Sequence, residues 1–137
     1  MKTVVFAMDK WARTYAGNMW VMNVLYVKPV YNSDECLAAL VEGPVDAFVI
    51  DLRLLAPSGV PIHRCYRRGN ALYMELRRRG YKCPIILLGN KDVVVPSLLR
   101  TVGADVSLGL VTRIVEFDPE APKTAEELRV IVLSLLQ

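Results

Sequence analysis

The sequence predicts a doubly wound α/β fold, a five-stranded parallel sheet with helices on both faces. Three observations carry this expectation. Short runs rich in Val, Ile and Leu recur along the 137 residues and alternate with segments of helical spacing. That order calls for right-handed crossovers, and so for a parallel sheet. The composition, 53% hydrophobic and only 23% charged, suits strands buried on both faces and excludes a disordered chain. The length is that of one domain, taken here as 1–137.

Each element has a local reason. Residues 3–8 form a β-branched and apolar run that closes at Asp9, the first strand. In 11–22, Trp11, Tyr15, Met19 and Met22 recur three or four apart, the mark of a helix with one apolar face. The second strand, 24–31, contains Pro29, which cannot donate to a ladder and therefore belongs at a sheet edge. Asn32 or Ser33 caps a helix carrying Leu37, Leu40 and Val41, which ends at Gly43-Pro44. The third strand, 46–52 (DAFVIDL), holds Asp51 near its end. A loop with Pro57, Gly59 and Pro61 precedes an arginine-rich segment and a helix over 70–79, closed by Gly80. Residues 84–88 (PIILL) are the fourth strand, followed by Gly89, Asn90 and Lys91. Pro96 suits the first turn of a short helix over 97–102 that Gly103 ends, and 106–111 is read as the fifth strand. Thr124 and Glu127 have capping-box spacing, and the last helix buries Leu128, Ile131, Val132, Leu135 and Leu136.

Several classes drop out. The longest uncharged stretch, 14–27, falls short of the roughly 20 apolar residues that span a bilayer. Residues 1–8 lack the long apolar core and cleavage site of a signal peptide, so a cytoplasmic location is expected and no membrane association. Cys36, Cys65 and Cys83 form no CxxC pair and are joined by a single histidine, His63, too few ligands for zinc; whether any two form a disulfide stays open. Gly89-Asn90-Lys91-Asp92 differs by one position from a guanine-reading NKxD, and there is no GxxxxGK[ST] loop, which excludes a GTPase. No GxGxxG follows the first strand, and no nucleophile and base are evident, so an enzyme is not expected.

In a doubly wound sheet, ligands collect outside the carboxyl ends of the strands. The residues expected there are Asp9, Asp51, Gly89-Asn90-Lys91 and the neighbourhood of Leu110. Across nearly the whole chain this pattern resembles the receiver domains of two-component response regulators. In that family the first strand ends in an acidic pair that helps bind magnesium and the third in the phosphate-accepting aspartate. The fourth ends in Thr or Ser, and the fifth in Lys-Pro. Asp51 matches the acceptor, Leu54 the aliphatic residue three positions on and Gly59 the glycine eight positions on; 98–105 (LLRTVGAD) resembles the lead into the fifth strand. The resemblance implies a flavodoxin-like sheet in the order 2-1-3-4-5 and a regulatory or interaction role.

The departures imply a degenerate, pseudo-receiver site. Met8 replaces one acid of the pair, which leaves Asp9 and Asp51 as weak magnesium ligands and no certain cofactor. Gly89 replaces the hydroxyl residue and Leu110 or a neighbour the lysine, so phosphoryl transfer loses the cations it needs against developing charge. Lys10, Asn90 and Lys91 remain as candidate anion-binding groups.

Charge is polarised along the chain. Residues 63–82 hold seven Arg or Lys against Glu75 alone, and 116–127 hold five acids against Lys123, within a net charge of +3. Arg64, Arg67, Arg68, Arg77, Arg78 and Arg79 are therefore candidate contacts to nucleic acid or an acidic partner, with a solvated helix face as the simpler reading. Receivers commonly pair through the fourth helix, fifth strand and fifth helix. Val130 and Leu133 fall off the core stripe of 128–136, so a homodimer or a protein partner is expected on that helix. The alternatives are a flavodoxin-like binder of a small anion or nucleotide, and a nucleic-acid-binding accessory protein using 63–82.

Overall fold

The computed structural model describes residues 2–8, 25–54, 68–89, 96–116 and 122–136. Five strands, β1 (Lys2–Ala7), β2 (Leu25–Val30), β3 (Ala47–Asp51), β4 (Ile85–Gly89) and β5 (Thr112–Glu116), form one sheet. Every pairing is parallel, and the order is β2-β1-β3-β4-β5, as expected. Four helices are described: α1 (Ser33–Ala39), α2 (Arg68–Arg78), α3 (Pro96–Ser107) and α4 (Pro122–Leu135). The helix expected over 11–22 lies outside the described residues.

Side-chain alternation divides the core in two. Val4 and Phe6 of β1, Ala47 and Val49 of β3 and Ile86 and Leu88 of β4 face one way, and α4 covers them with Leu128 and Val132. Val5, Ala7, Phe48, Ile50, Ile85 and Leu87 face the other way, under Cys36 and Ala39 of α1, Leu72, Tyr73 and Leu76 of α2 and Leu98 of α3. The central strands are apolar on both faces because both are covered. Pro29 sits on β2, at the edge, where its missing N–H costs no ladder bond.

The helix ends follow local chemistry. Asn32 accepts the Glu35 N–H at 2.9 Å, and the Glu35 carboxylate reaches back to the Tyr31 N–H at 2.7 Å. α2 ends at Gly80 with φ +90°, where Gly80 N–H bonds Arg77 O and Tyr81 N–H bonds Leu76 O, a Schellman motif. The same motif ends α3 at Gly109 with φ +83°, through Gly109 N–H to Val106 O and Leu110 N–H to Asp105 O.

That second motif corrects the reading of the fifth strand. Gly103 does not end the helix: α3 runs from Pro96 to Ser107, and β5 begins only at Thr112. The run 106–111 is apolar but makes no ladder, because its first two residues complete α3 and the rest form the turn. The β-branched Thr112, Ile114 and Val115 that follow make the strand. Thr124 lies inside α4 rather than capping it, since the helix starts at Pro122.

Candidate functional site

Asp51 is the last residue of β3, the middle strand of the sheet, and is 4% exposed. Its Oδ1 accepts the Arg53 backbone N–H at 2.8 Å, which turns the chain at the strand end. The Arg53 guanidinium folds back over the same oxygen, with Nε 3.6 Å from Oδ1. That distance is an ion pair and not a hydrogen bond, and Arg53 Nε is buried with no hydrogen-bond partner. On the neighbouring strand β1, Met8 follows the last paired residue and is wholly buried in the core, where its thioether offers no hard oxygen to a cation.

Helix α2 closes on this strand end through Gly69. A Cβ at Gly69 would lie 2.3 Å from the Asp51 carbonyl oxygen and 2.6 Å from Leu52 Cα, so only glycine lets the first turn of the helix approach. Nothing in the linear pattern marked Gly69 or Arg53, since both act through contacts made only once the strand and helix are packed.

Gly89 ends β4 and pairs in register with Glu116, the last residue of β5. The carboxyl ends of β3, β4 and β5 therefore carry Asp51, Gly89 and Glu116. Leu110 is not among them. It lies before β5, beside Val111, whose carbonyl accepts the Ile85 N–H at 3.0 Å at the amino ends of the strands. The last residue of β5, Glu116, is an exposed acid. Asp9, Lys10, Asn90 and Lys91 lie outside the described residues.

A cation on Asp51 would share the carboxylate with the Arg53 guanidinium, whose Nε stands 3.6 Å from Oδ1, and the two like charges would repel.

The arginines divide sharply. Arg77 is turned inward: its guanidinium donates to Tyr81 O at 2.7 Å, Cys83 O at 2.9 Å, Val111 O at 3.0 Å and Thr112 Oγ1 at 2.8 Å. It also pairs with Asp105, Nε to Oδ2 3.3 Å, and stands over the Tyr73 ring. Tyr73 in turn donates its hydroxyl to Asp105. Burial, and then that bond to the carboxylate, push the Tyr73 phenol above its ordinary range. This network ties α2 and α3 to the start of β5. It removes Arg77 from the surface contacts expected for it, because a guanidinium with four oxygen acceptors holds the carbonyls at the end of its own helix. Arg78 and Arg79 both grip Glu75, at 2.6 and 2.9 Å, and hold its carboxyl down at about 2. Arg64 and Arg67 lie outside the described residues, and of Arg68 the backbone alone is described, at the start of α2.

Cys36 and Cys83 are free thiols, and burial pushes Cys36 up to about 12; Cys65 lies outside the described residues. Among the described residues no helix is long and apolar enough to cross a membrane.

No protein-family model matches the sequence, and no curated protein does. Solved structures do. The receiver domain of the TMAO respiratory system response regulator TorR superimposes with a TM-score of 0.68 at 18% identity, over 99% of this chain and 97% of that one. A CheY-like response regulator receiver domain from Methylobacillus flagellatus gives 0.66 at 18% identity, over 98% of each chain. The receiver domain of NtrX from Brucella abortus gives 0.65 at 16% identity, again over 98% of each. The fold is that of response-regulator receiver domains.

Proposed function

We propose that the chain is a single receiver-like signalling module that acts in the cytoplasm through protein contacts, and that phosphoacceptor chemistry at Asp51 is degraded. The observation that carries this reading is the set of residues at the carboxyl ends of the strands. Asp51 is in register with Leu88, one residue before Gly89, where phosphoryl transfer would call for a hydroxyl, and on β1 Met8 stands where the resemblance calls for an acid. The chain's surviving work is then carried by its surface. Leu99 and Val106 on α3, Leu108 and Val111 in the turn to β5 and Val130 on α4 are exposed apolar side chains. They support a protein partner or a second copy of the chain on these elements.

Incubation with acetyl phosphate and magnesium, read by intact mass, tests the degraded chemistry. We expect no stable gain of a phosphoryl group, with the wild type indistinguishable from Asp51→Asn. A stable adduct lost in Asp51→Asn would make the domain a working phosphorylation switch.

A further inference from the structure

We infer that Tyr73, Arg77, Asp105 and Thr112 form a latch that docks the carboxyl-terminal half of α3 and the start of β5 onto α2, so that this corner of the molecule opens as a unit of its own. The inference goes beyond the proposed signalling role and does not involve Asp51. It starts from the inner face of α3. Leu98, Val102 and Asp105 follow one another there at helical spacing. Leu98 is buried and Val102 packs on the cluster beneath α1 and α2, but the third position is a carboxylate. Where an apolar side chain would complete the stripe, the helix carries a charge. Of residues 103–109, Asp105 alone is buried and the others are exposed, so the end of α3 has no apolar anchor.

A buried carboxylate is costly unless it is both paired and hydrogen-bonded. Asp105 receives both from α2: the Tyr73 hydroxyl donates to it, and Arg77 Nε stands 3.3 Å from Oδ2. The same guanidinium donates to Val111 O at 3.0 Å and to Thr112 Oγ1 at 2.8 Å, so one side chain ties the end of α3 to the start of β5. β5 is an edge strand, paired with β4 alone. The corner is therefore held by a polar network, whose members support one another and loosen together when one is lost. The exposed Val106, Leu108 and Val111 ride on it, and its closure sets how they are presented to a partner.

Native-state amide hydrogen exchange on the whole chain tests this. In the wild type the amides of 101–110 should exchange about tenfold or more faster than those of β1 and β3, as a locally opening unit does. Asp105→Asn, which keeps the shape and removes the charge, should speed 101–110 by about a further tenfold. Val49→Ala, under α4 on the other face of the sheet, should speed β1 and β3 and leave 101–110 unchanged. Exchange at 101–110 that is no faster than in β1 and β3 of the wild type, unmoved by Asp105→Asn, or accelerated with β1 by Val49→Ala would overturn the inference. Where Asp105→Asn does not fold, Tyr73→Phe decides, since it removes the hydroxyl alone: faster exchange at 101–110 supports the latch and unchanged exchange refutes it. None of these readings depends on whether Asp51 accepts a phosphoryl group.

Discussion

Gly69 shows how a single residue sets the geometry at Asp51. Its Cβ position is already filled by the backbone of Asp51 and Leu52, so a methyl group there must push α2 off β3. Gly69→Ala should destabilise the fold by about 1–3 kcal/mol, the usual cost of overpacking, as read from the urea midpoint. Glu75 gives a prediction of the opposite kind, at the surface. Arg78 and Arg79 hold its carboxyl at about 2, below the ordinary 4.5 of an unfolded chain. A lowered folded value contributes stability that is present above about pH 4.5 and lost as pH falls towards 2. The loss should be small because the group is exposed. In Glu75→Gln that part of the acid limb should vanish from the pH dependence of unfolding, and an unchanged acid limb would show that the two arginines do not act on Glu75. At this scale the sequence revealed Asp51 and little else of the site. An aspartate at the end of an apolar run is visible in one dimension, while the Gly69 contact, the Arg53 ion pair and the inward turn of Arg77 arise from packing.

Among the elements, strands and helices were legible wherever periodicity and a breaker agreed. β1 to β4, the edge position of β2 and the end of α2 at Gly80 all have such agreement. Gly103 misled, because glycine inside a helix looks like a stop, whereas the stop is the positive-φ turn at Gly109 six residues later. The two glycines should respond oppositely to alanine. Nothing lies within 4 Å of a Cβ at Gly103, so Gly103→Ala should stabilise α3 by up to about 1 kcal/mol. Gly109→Ala should destabilise by about 1–2 kcal/mol, because an L side chain strains the left-handed turn. On α4, Val130 is 57% exposed, but Leu133, expected to lie off the core stripe, packs against the buried cluster of β1, β3 and β4. Val130→Glu should leave the circular dichroism spectrum intact and, where α4 is an interface, yield the smaller species in light scattering. Leu133→Glu should lose stability outright.

For the whole molecule, the alternation of strands and helices was sufficient to give the class and the order of the sheet, because a chain this apolar can bury all its strands only between two helical layers. Charge polarity along the sequence was a poorer guide. Where described, the basic stretch places Arg77 inward on backbone carbonyls, pairs Arg78 and Arg79 with Glu75 and leaves Lys82 exposed. The acid that ends β5, Glu116, was hidden by the misplaced strand. The central claim is that the receiver fold is kept while its phosphoacceptor centre is not. It is tested most directly by amide NMR spectra recorded with beryllofluoride and magnesium, a stand-in for the phosphorylated aspartate. The account predicts spectra of wild type and Asp51→Asn that are equally unmoved by the reagent. Saturable shifts spreading from Asp51 into α3 and β5 of the wild type alone would contradict it.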